Sequence, residues 1–153
     1  MRSLADCTNI EIKAEIYREE QGKEIIFRHA RFNLVCDVIK MDGCVFTDTS
    51  PVRRCDFLFL FDKNKQEYKF LNNKLSIVYY VELKGIDLAS ACEQLLNSIE
   101  KTRNQIADFD INALVVSTRK FVPQYDNNEF YRAVKRMIRK DIVFELTPCI
   151  INL

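Results

Sequence analysis

From residue 56 onward the chain alternates apolar runs with polar breaks, and the length and period of each run predict an element. Asp56-Phe57-Leu58-Phe59-Leu60-Phe61 is an aspartate followed by five apolar residues. It is too apolar for a strand with one wet face, so it reads as a strand covered on both sides. The polar stretch Asp62-Lys63-Asn64-Lys65 turns the chain, Tyr68 to Leu71 reads as a return segment, and Leu75 to Lys84 reads as the central strand, ended by Gly85. Asp87 stands as an N-cap before Leu88, Ala91, Cys92, Leu95 and Ile99, an apolar stripe at helical spacing. Asn112 to Ser117 predicts a further strand. Asp126 or Asn127 caps a helix from Glu129 to Lys140, and Ile142 to Ile151 is a last strand interrupted by Pro148.

The N-terminal part carries two patterns at once. Ile10, Ile12, Ala14 and Ile16 alternate with polar residues as in a strand, while Glu11 to Gln21 has the composition of a helix that Gln21-Gly22 would break. Phe32, Val35, Cys36 and Ile39 have helical spacing, whereas Leu34, Val38 and Met41 suit a strand running into Asp42-Gly43. Both readings stay open for both segments. Cys44 to Phe46 is a short apolar piece before the turn residues Asp48, Ser50 and Pro51. From Cys44 the order is then strand, strand, strand, helix, strand, helix, strand. That alternation predicts an α/β protein with a mixed sheet flanked by helices.

Composition narrows the class without naming a function. The 153 residues are 48% hydrophobic and 29% charged with only 3 Gly and 3 Pro, which suits one compact domain spanning 1–153. The 23 basic residues nearly cancel the 22 acidic ones, so a formal charge of +1 announces no polyanionic partner, and any basic surface must be local. Met1 to Asp6 leads into charged sequence rather than an apolar signal core, and no apolar run is long enough to span a bilayer. The expectation is a cytoplasmic protein that does not engage a membrane. Cys7, Cys36, Cys44, Cys55, Cys92 and Cys149 are scattered, which suits reduced core thiols. A zinc site at Cys44 and Cys55 finds little support, because there is no CxxC pair and His29 is the single histidine.

Charges on strands this apolar are the informative chemistry. Alternate residues of a strand share a face, so Glu82 and Lys84 point one way while Val81 and Leu83 enter the opposite layer. With Asp56 on the neighbouring strand, two carboxylates and an ammonium would sit side by side in an open, wet pocket. Such a set suits a metal-dependent phosphodiesterase, in which Asp56 and Glu82 offer hard oxygen ligands to a divalent cation and Lys84 orients or deprotonates the attacking water. The plainer alternative is that Glu82 and Lys84 mark the solvated end of a buried strand.

This arrangement resembles the PD-(D/E)XK superfamily of restriction-endonuclease-like nucleases. Members place an Asp at the start of the second core strand, a Glu-x-Lys on the third and a helix directly after it. Asp56, Glu82-Leu83-Lys84 and the helix opening at Asp87 occupy the matching places, over a core of about residues 42 to 118. The resemblance implies an αβββαβ core, here with a C-terminal helix-strand extension. It implies Mg²⁺ or Mn²⁺ held by Asp56, Glu82 and the Leu83 carbonyl, and a role for Gln94, the match to a helix glutamine that approaches the site in several members. A solvated helix glutamine is the other reading of Gln94. Many members add an acidic residue from their N-terminal helix; Glu11, Glu15, Glu19, Glu20 and Asp42 are the candidates, with Asp42 slightly preferred although a plain Asp-Gly turn explains it too. Arg54-Cys55 stands where a Pro would precede the Asp, and the stretch between Asp56 and Glu82 is longer than a simple hairpin needs.

Basic residues bear on the substrate. In the helix from Phe130 to Lys140, Phe130, Val134, Met137 and Ile138 take one side and Arg132, Lys135, Arg136, Arg139 and Lys140 the other. This stripe would track a phosphate backbone, with Arg53, Arg54, Arg119 and Lys120 adding contacts; a solvated surface helix is the alternative. The expected activity is hydrolysis of phosphodiester bonds, in DNA ahead of RNA. The settings the resemblance brings are repair, recombination, restriction or phage defence, and many of its smallest members act as homodimers. Two rivals remain: a nuclease fold kept as a nucleic-acid- or protein-binding module without catalysis, and an RNase or a nucleotide-sensing effector with the same triad.

Overall fold

A computed structural model describes residues 1–47, 52–66, 76–84, 87–119 and 127–153, with the Leu88 side chain left out. Its elements are β1 (Thr8–Lys13), β2 (Glu15–Glu20), β3 (Lys23–Arg28), β4 (Leu34–Lys40), β5 (Phe57–Phe61), β6 (Ser76–Leu83), α1 (Leu88–Thr102), β7 (Phe109–Ser117), α2 (Glu129–Ile138), β8 (Val143–Leu146) and β9 (Cys149–Asn152). Short 3-10 turns cover Ala5–Cys7 and Arg103–Ile106. The expected return segment at Tyr68 to Leu71, the turn at Asp48 to Pro51, Gly85, Lys120 and the Asp126 cap lie outside the described residues.

Six strands form one mixed sheet in the order β1-β4-β5-β6-β7-β8, and three form a second in the order β2-β3-β9. Along the large sheet, β1, β4, β5 and β6 pair antiparallel, and β6, β7 and β8 pair parallel, each parallel step crossing over through α1 or α2. The period of two sorts the side chains into two cores. Ile39, Leu58, Leu60, Val78, Tyr80, Ala113 and Val115 pack under α1 and α2. Val38, Phe57, Phe59, Phe61, Val81, Leu83, Leu114 and Val116 pack against Ile16, Ile25, Phe27 and Cys149 of the small sheet. Burial on both faces explains the unbroken apolar run of β5.

The α/β class and the mixed sheet are as expected, but the flanking differs. Both helices lie on one face, where they pack on each other, and the small sheet takes the other. Among the described residues no α-helix precedes β5, so the leading helix of an αβββαβ core has no counterpart; both ambiguous N-terminal segments are strands. Their helical composition lost to pairing. Gln21 (φ 49°) and Gly22 (φ 77°) form a two-residue hairpin turn that holds Glu20 opposite Lys23, and this register buries Ile16, Ile25 and Phe27.

Smaller corrections follow the same logic. Pro148 splits the last strand so that β8 joins the large sheet and β9 the small one. Asp87 caps α1 as expected, its Oδ1 accepting from Ser90 N at 3.0 Å, whereas α2 is capped one residue later than expected, by Asn128, which accepts from Tyr131 N at 3.0 Å. Cys36, Cys55, Cys92 and Cys149 are free and buried, but Cys7 and Cys44 form a disulfide. It ties the first 3-10 turn to the chain beyond β4. No helix among the described residues is long and apolar enough to cross a membrane.

Candidate active site

Phe57 pairs with Val81 and Leu58 with Tyr80, so extending the register by one residue sets Asp56 opposite Glu82 on the helix side of the sheet. Asp56 Oδ2 accepts the Leu83 N–H at 2.7 Å, which locks the start of β5 to the end of β6. The same strand carries Lys84 back to this face, where its Nζ lies 3.8 Å from Glu82 Oε1 and donates to Gln94 Oε1 at 2.9 Å. Gln94 in turn donates from Nε2 to the Arg54 carbonyl at 2.8 Å. Four of the expected residues, Asp56, Glu82, Lys84 and Gln94, are thus one connected group. Gln94 is hydrogen-bonded into it rather than left to solvent alone.

The pocket is not open. Glu82 is 1% exposed, and its Oε2 is buried with no hydrogen-bond partner among the described residues. Half-buried Asp56, Lys84 and Gln94 reach solvent. Burial is the main cause that pushes the Glu82 carboxyl up to about 9, with the Asp56 charge adding to it and Lys84 working against it. Burial also pushes Asp56 up to about 6, opposed by the Leu83 N–H and by Lys84. Carboxylates raised this way are a frequent mark of a functional site.

The acidic candidates separate cleanly. Glu11 is held by Arg18 and Lys13, Glu15 lies 3.9 Å from Arg28, and Glu19 accepts from Gly22 N at 2.6 Å. Glu20, at the hairpin tip, raises the pKa of both Asp56 and Glu82, while Asp42 raises that of Asp56 alone. Asp42 is exposed, 4.0 Å from the Arg54 guanidinium. Glu20 is therefore the better placed of the two. Ser90 was missed by sequence reasoning: it is buried, its Oγ donates to Gln94 Oε1 at 3.3 Å, and it receives Arg53. Its position four residues before Gln94 on the same helix face was the available signal.

Comparison of the chain with family models, with curated proteins and with solved structures finds no match to any of them. The site must be judged on its own groups.

Among the described residues no cluster of three or more His, Cys, Asp or Glu side chains could hold a metal. Two carboxylates are nonetheless a set that suits Mg²⁺, which keeps several waters and takes one or two carboxylates from the protein. The orphaned Glu82 Oε2 fits such a cation, since a buried, unpaired carboxylate oxygen is costly until something positive or donating meets it. Leu83 contributes its N–H to Asp56 and its side chain to the opposite core.

The basic residues divide by environment. Arg54 is buried, its guanidinium 4.6 Å from the centre of the Phe46 ring, so it is a strut and not a surface contact. Arg53 is taken up by Ser90 and lies 3.9 Å from Glu93. Lys135 pairs with Asp141 at 2.6 Å, and Lys140 donates to Asp110 and Asn112. Arg119, Arg132, Arg136 and Arg139 are exposed.

Proposed function

We propose that the chain is a metal-dependent nuclease that hydrolyses phosphodiester bonds, in DNA ahead of RNA, with Mg²⁺ or Mn²⁺ as cofactor. The observation that carries this reading is the buried Oε2 of Glu82, without a partner among the described residues and directly across from Asp56, with Lys84 at hand. Asp56 and Glu82 would hold the cation together with the Leu83 carbonyl. A bound divalent cation supplies positive charge against the phosphate oxygens. Lys84, fixed by Gln94, orients the attacking water, and Gln94 is itself fixed by the Arg54 carbonyl and Ser90. Exposed Arg132 and Arg136 of α2, with Arg139 at its C-cap, offer charge to a phosphate backbone. The test is incubation with circular DNA, linear DNA and RNA in Mn²⁺ or in EDTA. Cleavage in Mn²⁺ that EDTA and Lys84→Ala both abolish supports the reading; equal cleavage by the variant removes it.

A second reading is favoured by one specific observation. Glu82 is closed off from solvent, and burial raises its carboxyl well above the ordinary range, as befits a nuclease fold kept as a binding module for nucleic acid or a partner protein. Such a module shows no Mn²⁺-dependent cleavage and no loss of binding in Lys84→Ala.

A further inference from the structure

Before β1 begins, Met1 to Cys7 run as a strap on the helix side of the large sheet. Leu4 is buried in the core under α1 and α2, with half-buried Cys7 packed beside that core. Leu4 and Ala5 form one wall of a cleft of about 460 Å³, faced by Ile39, Leu60, Ile106 and Phe109. Apart from the disulfide, little holds the strap there. Arg2 N donates to the Val45 carbonyl at 2.8 Å and Leu4 N to Gln105 Oε1 at 3.0 Å, while Ser3 and Asp6 bond to each other, and the 3-10 turn buries none of its residues. One buried leucine, a half-buried cysteine and two long-range hydrogen bonds return less free energy than fixing the backbone from Met1 to Cys7 costs. The Cys7–Cys44 bond makes up the difference by tying the strap to the turn after β4.

That bond is open to thiol exchange, and from outside the chain. Cys7 and Cys44 are half-buried, with exposed Asp6, Asp42 and Gly43 beside them. Attack on a disulfide needs a thiolate. The free thiols Cys36, Cys55, Cys92 and Cys149 are buried, and burial raises each above the ordinary thiol range, so they supply none. A dithiol does. Its thiolate attacks one sulfur and expels the other as a thiolate; its second thiol then displaces the first, and it leaves as a cyclic disulfide, its two protons and two electrons passing to Cys7 and Cys44.

We propose that Cys7–Cys44 is a redox-sensitive latch: exchange with a dithiol frees the Met1–Cys7 strap and uncovers the apolar wall of Ile39, Ile106 and Phe109. The latch shares no residue with the Asp56–Glu82 pair, so its test does not depend on cleavage. Backbone amide relaxation of the full chain is measured by NMR before and after dithiothreitol, and alkylation with mass analysis of a quenched sample counts the thiols formed. In the oxidised chain the order parameters of Leu4 to Cys7 match those of β4, about 0.85. After dithiothreitol they fall below about 0.6 while β1 and β4 keep theirs, and the amide shifts of Ile39, Ile106 and Phe109 move. Cys7→Ser shows the reduced pattern without reductant and does not respond to it, and Cys44→Ser gives the same reading should Cys7→Ser fail to fold. Glu82→Gln responds as wild type does, whether or not the protein cuts nucleic acid. A disulfide that dithiothreitol leaves intact in the folded chain, a strap that stays ordered once both thiols have formed, or order lost equally along β1 and β4 would overturn the proposal.

Discussion

Asp56 and Glu82 face each other across β5 and β6, and the Leu83 N–H that follows Glu82 is bonded to Asp56 at 2.7 Å. The two carboxylates therefore share one electrostatic fate: whatever neutralises one changes the proton affinity of the other.

The first consequence is a pH-dependent stability that a cation reverses. Both groups are raised in the folded state, to about 6 for Asp56 and about 9 for Glu82. Their contribution is complete below the ordinary carboxylate range and is lost as pH rises through those two values, because the unfolded chain ionises first. In EDTA, thermal unfolding should show the melting temperature falling from pH 5 to pH 9. Glu82→Gln should flatten the upper part of that fall and stabilise the protein by about 1–3 kcal/mol at the alkaline end. Mn²⁺ should raise the melting temperature of wild type, more at pH 8 than at pH 6, since its ligands must give up protons.

Lys84 tests the chemistry apart from the fold. Its ammonium is about a third exposed and bonded to Gln94, so Lys84→Ala should leave the melting temperature within a few degrees of wild type. Cleavage in Mn²⁺ should nevertheless fall by about a hundredfold or more. Gln94→Ala should fall less, since Lys84 would keep its charge and lose only its anchor.

The Cys7–Cys44 disulfide closes a loop across a sequence separation of 37 residues. Loop entropy alone gives it about 3–4 kcal/mol. Thiol titration of the denatured, unreduced chain should find the four free cysteines, and six after reduction. Cys7→Ser should lower the denaturation midpoint with an unchanged slope.

Gly22 carries the hairpin turn at φ 77° with no atom near the place a Cβ would occupy. Its replacement therefore costs backbone strain and nothing else. Gly22→Val should destabilise by about 1–2 kcal/mol, read from urea unfolding, and the cost should extend to the site, because Glu20 at the hairpin tip acts on both Asp56 and Glu82.

Much of this was legible in the residues, and the limits have physical causes. The run Phe57 to Phe61 announced a strand buried on both sides, and the spacing of Glu82 and Lys84 put them on one face because a strand has a period of two. The partner of the second face was not legible: nothing local says that Ile16, Ile25 and Phe27 come from a second sheet rather than a helix, since Glu11 to Gln21 has helical composition and only the Gln21-Gly22 turn and the pairing across it decide. Closure of the site was equally hidden. Glu82 looks like a strand-end charge in sequence, and only its 1% exposure in the folded chain shows that it is sealed. The same holds for Arg54, a surface cation by type and a buried strut by position, and for Cys7 and Cys44, whose 37-residue separation gave no cue to their pairing.

The most direct test of the paired carboxylates as a cation site is titration of Mn²⁺ into the chain at pH 7 to 8, followed by calorimetry in buffers of different ionisation heat. Wild type should bind Mn²⁺ with release of protons, drawn chiefly from Glu82, and both binding and release should be lost in Asp56→Asn and Glu82→Gln. Mn²⁺ binding of the same affinity and proton count in the two variants would contradict it.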